Sequence, residues 1–243
     1  MNVVIIVQAR MTSTRLSGKV LKQVLGKPLL GYVIERLRRV SGANDLVIAT
    51  TTNRADVPIV QLCQALGVNY FRGDENNVLQ RYYQAAVQAK ADVIVRVTSD
   101  CPLTDPEIID KAITYFIDNA PKFDYVSNCI TRTYPRGVDV EVFSFDALEL
   151  AFKEATLPAE LEHVTPYIHR RPELFTLGSI TQDQDLSFHR WTVDEEADFQ
   201  LIKTILEALY PAKPKFAMQD VLSLLSQHPA WIKINAHVEQ KHV

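Results

Sequence analysis

The chain has 243 residues, is 47% hydrophobic and carries a formal net charge of −3, an ordinary globular composition in a length that suits one core with an appendage better than two equal domains. Mild acidity excludes a general nucleic-acid binder, which needs a broad basic surface. No apolar run approaches the roughly 18 residues of a membrane span, and no basic region precedes the N-terminal apolar run as in a signal peptide, so a cytoplasmic protein is expected.

Along the first half, β-rich runs at Val3–Val7, Leu46–Thr50, Val68–Phe71, Val93–Thr98 and Tyr125–Ser127 alternate with helical patterns. The helices are predicted over Leu29–Val40, Val57–Leu66, Val78–Gln88 and Pro106–Asp118. In the third, Val78, Leu79, Tyr82, Ala85 and Ala86 fall at helical spacing and should face a sheet. Asp105 and Pro106 give the last an N-cap and a first helical residue. Such alternation predicts right-handed crossovers and a mostly parallel, twisted sheet covered on both faces, an α/β three-layer α/β/α sandwich.

From about residue 129 the pattern changes. "GVDVEVFS" alternates strictly, with Val138, Val140 and Val142 on one face and Asp139 and Glu141 on the other. "FDALELAFKEA" reads as a helix, "ELFTLGSI" and "LSFHRWTV" as strands, Glu195–Tyr210 as an amphipathic helix, and Met218–Gln227 as a shorter one. The change predicts a small antiparallel insertion. The loosest join falls near residues 129–137, so residues 1–243 read as a single domain with parts at 1–128 and 129–243.

Four stretches carry candidate chemistry. "QARMTSTRLSGKVL" delivers Arg10, Arg15 and Lys19, with Thr12, Ser13, Thr14 and Gly18 between them, directly after the first strand. Ligands of open α/β sheets bind beyond the carboxyl ends of the strands, so this loop is placed to wrap a polyphosphate. The competing reading is a solvated loop. There is no GxxxxGK[ST] and no GxGxxG after the strand, which excludes a P-loop NTPase and a dinucleotide dehydrogenase. "DVIVRVTSDCPLTDP" ends a strand with Thr98 and Asp100, and an aspartate beside a polyphosphate is a natural ligand for Mg²⁺. "LSFHRWTVDEEADF" supplies Asp194, a second candidate metal ligand that is equally readable as the cap of the following helix. "FRGDENNVLQRYYQAA" sets Gly73 and Asp74 in a turn flanked by Arg72 and Arg81; Arg81 suits either pyrimidine acceptors or a salt bridge on the helix face. Cys63, Cys101 and Cys129 form no CxxC pair, which fits a reducing compartment and no zinc site.

These motifs resemble those of the CMP-sugar synthetases, the cytidylyltransferases that activate Kdo, sialic and related acids. Their opening loop reads A-R-x-x-S-x-R-L-P-G-K; Ala9, Arg10, Ser13, Arg15, Leu16, Gly18 and Lys19 match, and Ser17 stands where proline is usual. "SDCPLTDP" is similar to the family's D-x-P-L segment and "VDEEADFQLI" to its V-D-T-P-E-D-L segment, which assigns metal roles to Asp100 and Asp194. "FRGDENNVLQRYYQAA" and "YPRGVDVEVFSFDAL" resemble most the spore-coat polysaccharide and pseudaminic-acid-type branch.

The resemblance implies a nucleotide-diphospho-sugar transferase-like fold, with a nucleotide-binding part (1–128) and a sugar-binding and dimerisation part (129–243). It implies a CTP-dependent nucleotidyltransferase that moves CMP from CTP to the anomeric hydroxyl of an acidic sugar for surface polysaccharide biosynthesis. Ala9, Arg10, Ser13, Arg15, Lys19, Asp74, Arg81 and Thr98 would bind nucleotide. Mg²⁺ on Asp100 and Asp194 would complete a catalytic set with Lys19 and Arg15. Arg136, Asp139, Glu141 and His163 are the candidate sugar residues; a solvent-facing stripe at 139 and 141 and a structural histidine are the competing readings. Trp191 and Trp231 are expected to pack, and relatives commonly pair, so a homodimer is expected. The rivals are a nucleotidyltransferase using a sugar 1-phosphate or a cofactor phosphate with another NTP, a nucleotide-sugar-dependent glycosyltransferase, and a non-catalytic nucleotide-binding protein of a polysaccharide gene cluster. The absence of a DxD at a suitable strand end counts against the glycosyltransferase, and both aspartates with Lys19 count against the non-catalytic reading.

Overall fold

A computed structural model describes residues 1–239. The chain runs through β1 (Val3–Gln8), a small hairpin of β2 (Gln23–Val24) and β3 (Lys27–Pro28), α1 (Leu29–Leu37), β4 (Asp45–Thr51), α2 (Val57–Leu66), β5 (Asn69–Gly73), α3 (Val78–Ala89), β6 (Val93–Thr98) and α4 (Pro106–Asp118). It continues with β7 (Tyr125–Ser127), β8 (Glu141–Ser144), α5 (Phe145–Glu154), α6 (Pro158–His163), α7 (Pro166–His169), β9 (Leu177–Ser179), α8 (Glu196–Leu209) and α9 (Met218–Gln227).

The first five side chains of β1 are buried on both faces, the mark of a central parallel strand. It pairs in parallel with β4 on one side and β6 on the other. The sheet order is β5-β4-β1-β6-β8-β7-β9, and β8 is antiparallel to both neighbours. Side chains alternate across the sheet as the period of two requires. Ile5, Val95 and Val142 meet Leu30, Ile34, Ile109 and Ile202 on one face. Val4, Ile6, Ile94 and Phe143 meet Leu79, Tyr82, Ala86 and Leu148 on the other. That is the expected three-layer sandwich, and each fully buried aliphatic side chain contributes about 1.5–3 kcal/mol. The five α3 residues read as sheet-facing are all buried. Among the described residues no helix is long and apolar enough to cross a membrane.

Three expectations are corrected. α1 stops at Leu37 rather than Val40 because Asp110 accepts hydrogen bonds from Ser41 N, Ser41 Oγ and Gly42 N and draws the chain aside. "LSFHRWTV" is not a strand. Its amides are shared out singly, Trp191 N to Arg136 O and Val193 N to Asp100 O, so no ladder develops. β8 begins only at Glu141, because Asn128 takes a strand's place beside the preceding residues: its Nδ2 donates to Val138 O and its Oδ1 accepts from Val140 N.

Candidate active site

A cleft of about 790 Å³ opens beyond the carboxyl ends of β1 and β6. Its floor is set by the loop after β1. Ala9 N still donates to Ala49 O, Met11 N donates to Asp56 Oδ1 at 2.7 Å, and Gly18 N closes the loop onto Met11 O at 2.9 Å. Gly18 closes it in the left-handed region, φ +66°, which glycine adopts without a Cβ penalty. The closed loop brings Ala9, Arg10, Ser13, Arg15 and Lys19 to the cleft wall.

At the centre Lys19 Nζ donates to three oxygens: Asp100 Oδ2 at 2.8 Å, Asp194 Oδ1 at 2.9 Å and Val193 O at 2.7 Å. Burial alone would lower the Lys19 pKa, but the two carboxylates outweigh it and hold the ammonium charged. Burial likewise pushes Asp100 up, and Lys19 more than offsets this, leaving its pKa at about 2. Thr98 lines the same wall beside Asp100. Arg15 adds a second cleft-side cation, 2.9 Å from Asp194 Oδ1.

Asp194 does not cap α8. The carboxylate that accepts the N–H groups of Asp194 and Glu195 is Asp198, at 3.0 Å each. Asp194 therefore spends both oxygens on cations, Oδ1 on Lys19 and Arg15 and Oδ2 on Arg190. The donor set fits a hard dication. Three oxygens already converge on one positive group, and oxygen-seeking Mg²⁺ is held by one or two carboxylates with substrate phosphates. Among the described residues no group of three His, Cys, Asp or Glu could hold a metal by itself, so phosphate and water oxygens would have to complete the shell.

Arg81 lines the cleft, is 1% exposed and makes no salt bridge among the described residues. Its guanidinium donates to the carbonyls of Asp74 and Glu75, and its Nε finds no acceptor. Burial lowers its pKa. A buried, incompletely satisfied guanidinium lining a cleft is compatible with a ligand acceptor. The Asp74 side chain does not reach the cleft. It accepts from Asn76 N and Asn77 N and shapes the turn before α3, so its contribution is the carbonyl that holds Arg81. Arg72 is tied to the carbonyls of Thr51 and Asn53.

Arg136, Asp139, Glu141 and His163 also line the cleft. Both Asp139 and Glu141 are paired, Asp139 with its side chain partly exposed and Glu141 buried. Arg132 grips Asp139 through two bonds of 2.6 and 3.0 Å. Glu141 is 8% exposed and accepts from Arg96, Tyr125 Oη at 2.6 Å and Thr165 Oγ1 at 2.5 Å. Burial raises the Glu141 pKa less than these partners lower it. Burial keeps His163 and His169 below the usual imidazole value and lifts the Cys101 and Cys129 thiols far above theirs, so neither cysteine is a ready nucleophile. Sequence reasoning missed Gln8, Arg96, Thr165, His169 and Arg190 around this site; only the placing of Gln8 directly before the loop signalled any of them.

Residues 4–215 match the family model described as Cytidylyltransferase. An uncharacterized protein of Methanocaldococcus jannaschii is 39% identical, covering 99% of this chain and 97% of its own. The spore coat polysaccharide biosynthesis protein SpsF of Bacillus subtilis is 30% identical over 94% and 95% of the two chains. A 3-deoxy-manno-octulosonate cytidylyltransferase of Geobacter sulfurreducens is 35% identical over 49% of this chain and 47% of its own. Among solved structures, a cytidylyltransferase of Leptospira borgpetersenii superposes with a TM-score of 0.92, 32% identity and full coverage of both chains.

Proposed function

Because the chain belongs to the cytidylyltransferase family and is a CTP-dependent nucleotidyltransferase, we propose that it transfers CMP from CTP to the anomeric hydroxyl of an acidic sugar, of the 2-keto-3-deoxy, nonulosonic or Kdo-like class, for surface polysaccharide biosynthesis. The observation that carries this reading is the distribution of unspent charge. Asp139 and Glu141 are already paired, and Arg136, on the same cleft, makes no salt bridge among the described residues. An anionic sugar suits that guanidinium and a cationic one does not. Lys19, Arg15 and Arg10 hold the triphosphate, and Arg81 donates to the cytosine acceptors.

In the proposed reaction the sugar hydroxyl oxygen attacks the α-phosphorus and its proton passes to solvent, while the bond to the bridging β-phosphate oxygen breaks and pyrophosphate departs with that electron pair. Lys19 and Arg15 stabilise the charge that builds on the phosphates, which is positioning and electrostatic work. Asp100 and Asp194 would hold Mg²⁺, whose chemistry is to neutralise phosphate charge and make the hydroxyl more acidic. Arg136 orients the sugar through its carboxylate. The three free thiols support a reducing, cytoplasmic setting. A homodimer belongs to the same proposal: Leu186 N donates to Thr133 O and ties together two loops that expose Ile130 and Phe188.

The test is pyrophosphate release with each of four NTPs against a panel of acidic, neutral and amino sugars, for the wild type and Arg136→Ala. CTP with an acidic sugar should be the productive pair, and Arg136→Ala should raise KM for the sugar while sparing KM for CTP. Turnover of a neutral sugar at the same rate would refute the substrate class.

A further inference from the structure

Asp194 is fixed from behind by three buried polar residues, and one of them lies beyond residue 215, where the family match ends. Asn235 is 4% exposed. Its Nδ2 donates to Asp198 Oδ1 at 2.8 Å and to Arg190 O at 3.0 Å. Asp198 is fully buried and receives the Arg190 fork, Nε to Oδ1 at 2.9 Å and NH2 to Oδ2 at 3.0 Å. The same NH2 group reaches Asp194 Oδ2 at 3.0 Å. Asp198 Oδ2 also holds the Asp194 amide. Backbone and side chain of Asp194 are thus anchored by one assembly.

We infer that Arg190, Asp198 and Asn235 are positioning residues for the divalent-cation site, with Asn235 the keystone supplied by the C-terminal segment. The inference rests on the reading of Asp194 as a metal-holding residue. Its logic is one of aim. Arg190 meets Asp194 through Oδ2 alone, so Oδ1 is the oxygen left to the cleft side. Because Arg190 occupies Oδ2, Asp194 cannot rotate freely, and Oδ1 is the oxygen that meets the cleft cations. A carboxylate left to swing would divide its time between orientations and lose affinity for a dication that needs defined geometry. Groups that orient a metal-holding side chain commonly cost 10–100-fold in metal affinity or activity when changed.

Removing Asn235 strips Asp198 Oδ1 of one donor and unpins the Arg190 carbonyl, with no loss of large apolar contact. Arg190→Lys keeps the charge, but its single ammonium cannot reproduce the fork that spans Asp194 and Asp198. The experiment measures Mn²⁺ binding to the full chain with CTP present, from the electron paramagnetic resonance of free Mn²⁺, together with Tm and the metal dependence of turnover. Asn235→Ala and Arg190→Lys should weaken Mn²⁺ binding by about 10-fold or more, and at saturating metal both kcat and KM for CTP should return to near parental values. A merely structural role would lower Tm and kcat without changing the metal requirement. Parental Mn²⁺ affinity in both variants overturns the inference. If Asn235→Ala does not fold, Arg190→Lys decides on the same criterion. Failure of the wild type itself to bind Mn²⁺ with CTP would instead overturn the metal reading, and this inference with it.

Discussion

Asp194→Asn separates a catalytic carboxylate from a structural one, because the structure specifies what the change removes. Asp194 accepts no helix N–H group, so no cap is lost. Three cations lose a charged partner, yet each keeps somewhere to go. Lys19 retains Asp100 and the Val193 carbonyl, Arg190 retains Asp198, and Arg15 is 28% exposed to water. Breaking a buried ion pair costs ~3–5 kcal/mol when a charge is stranded. Here none is stranded and asparagine keeps one acceptor oxygen, so we expect about 1 kcal/mol, a Tm fall of roughly 2–4 °C for a chain this size. Turnover should fall by about 10²-fold or more, the usual cost of deleting one group that stabilises transition-state charge. The assay pairs a thermal melt with pyrophosphate release across a Mg²⁺ series. Asp100→Asn should behave alike, and the double variant should lose much less than the product of the two defects, since both residues serve one centre. A folded Asp194→Asn enzyme with more than a tenth of parental turnover would refute the shared-cation reasoning.

Lys19→Ala should weaken CTP binding and cut turnover by about 10²-fold while leaving the far-ultraviolet circular dichroism unchanged, because Lys19 serves polar partners. Gly137→Ala should cost stability. Gly137 sits at φ +102° and an added Cβ would lie 2.5 Å from the Trp191 carbonyl carbon, so the backbone strain alone is ~1–3 kcal/mol and the melt should drop by several degrees. In acid, Asp100 contributes stability that is fully present above its unfolded value near 4 and is lost as pH falls towards its folded value of about 2. That contribution is about 2 kcal/mol, and a denaturant titration of wild type against Asp100→Asn between pH 5 and pH 2 should show the gap close as pH falls.

The first half of the fold was legible because each strand there is an apolar run bounded by turn residues, and its helices carry a clear period. β6, α2 and α4 begin and end where the pattern places them. The second half was less legible because its elements are defined by partners far away in sequence. Strict alternation in "GVDVEVFS" separates two faces but does not say that both are covered. β8 lies between β6 and β7, so the Glu141 face is buried against Arg96, 45 residues away. The site residues read from strand ends gathered as expected, since strand ends share one edge of the sheet. Arg190, Asp198 and Asn235 carried no such signal. At spacings of 8 and 37 residues they look like charges on a solvated helix and a polar residue in a tail.

Lys19 stands where the proposed reaction needs a dication. Two carboxylates close together in a partly buried cleft repel one another unless a cation stands between them, and in this structure Lys19 is that cation. If Asp100 and Asp194 are to hold a dication, Lys19 must leave them, and it must not be left without anions. The triphosphate meets both needs, because it offers Lys19 and Arg15 new acceptors as the metal takes their place. Arg190 does not share in the exchange: it is 9% exposed and braced by Asp198 and Asn235, so Oδ2 of Asp194 stays held while Oδ1 changes partners. Nucleotide and metal then favour each other's binding by the same factor, as linkage requires.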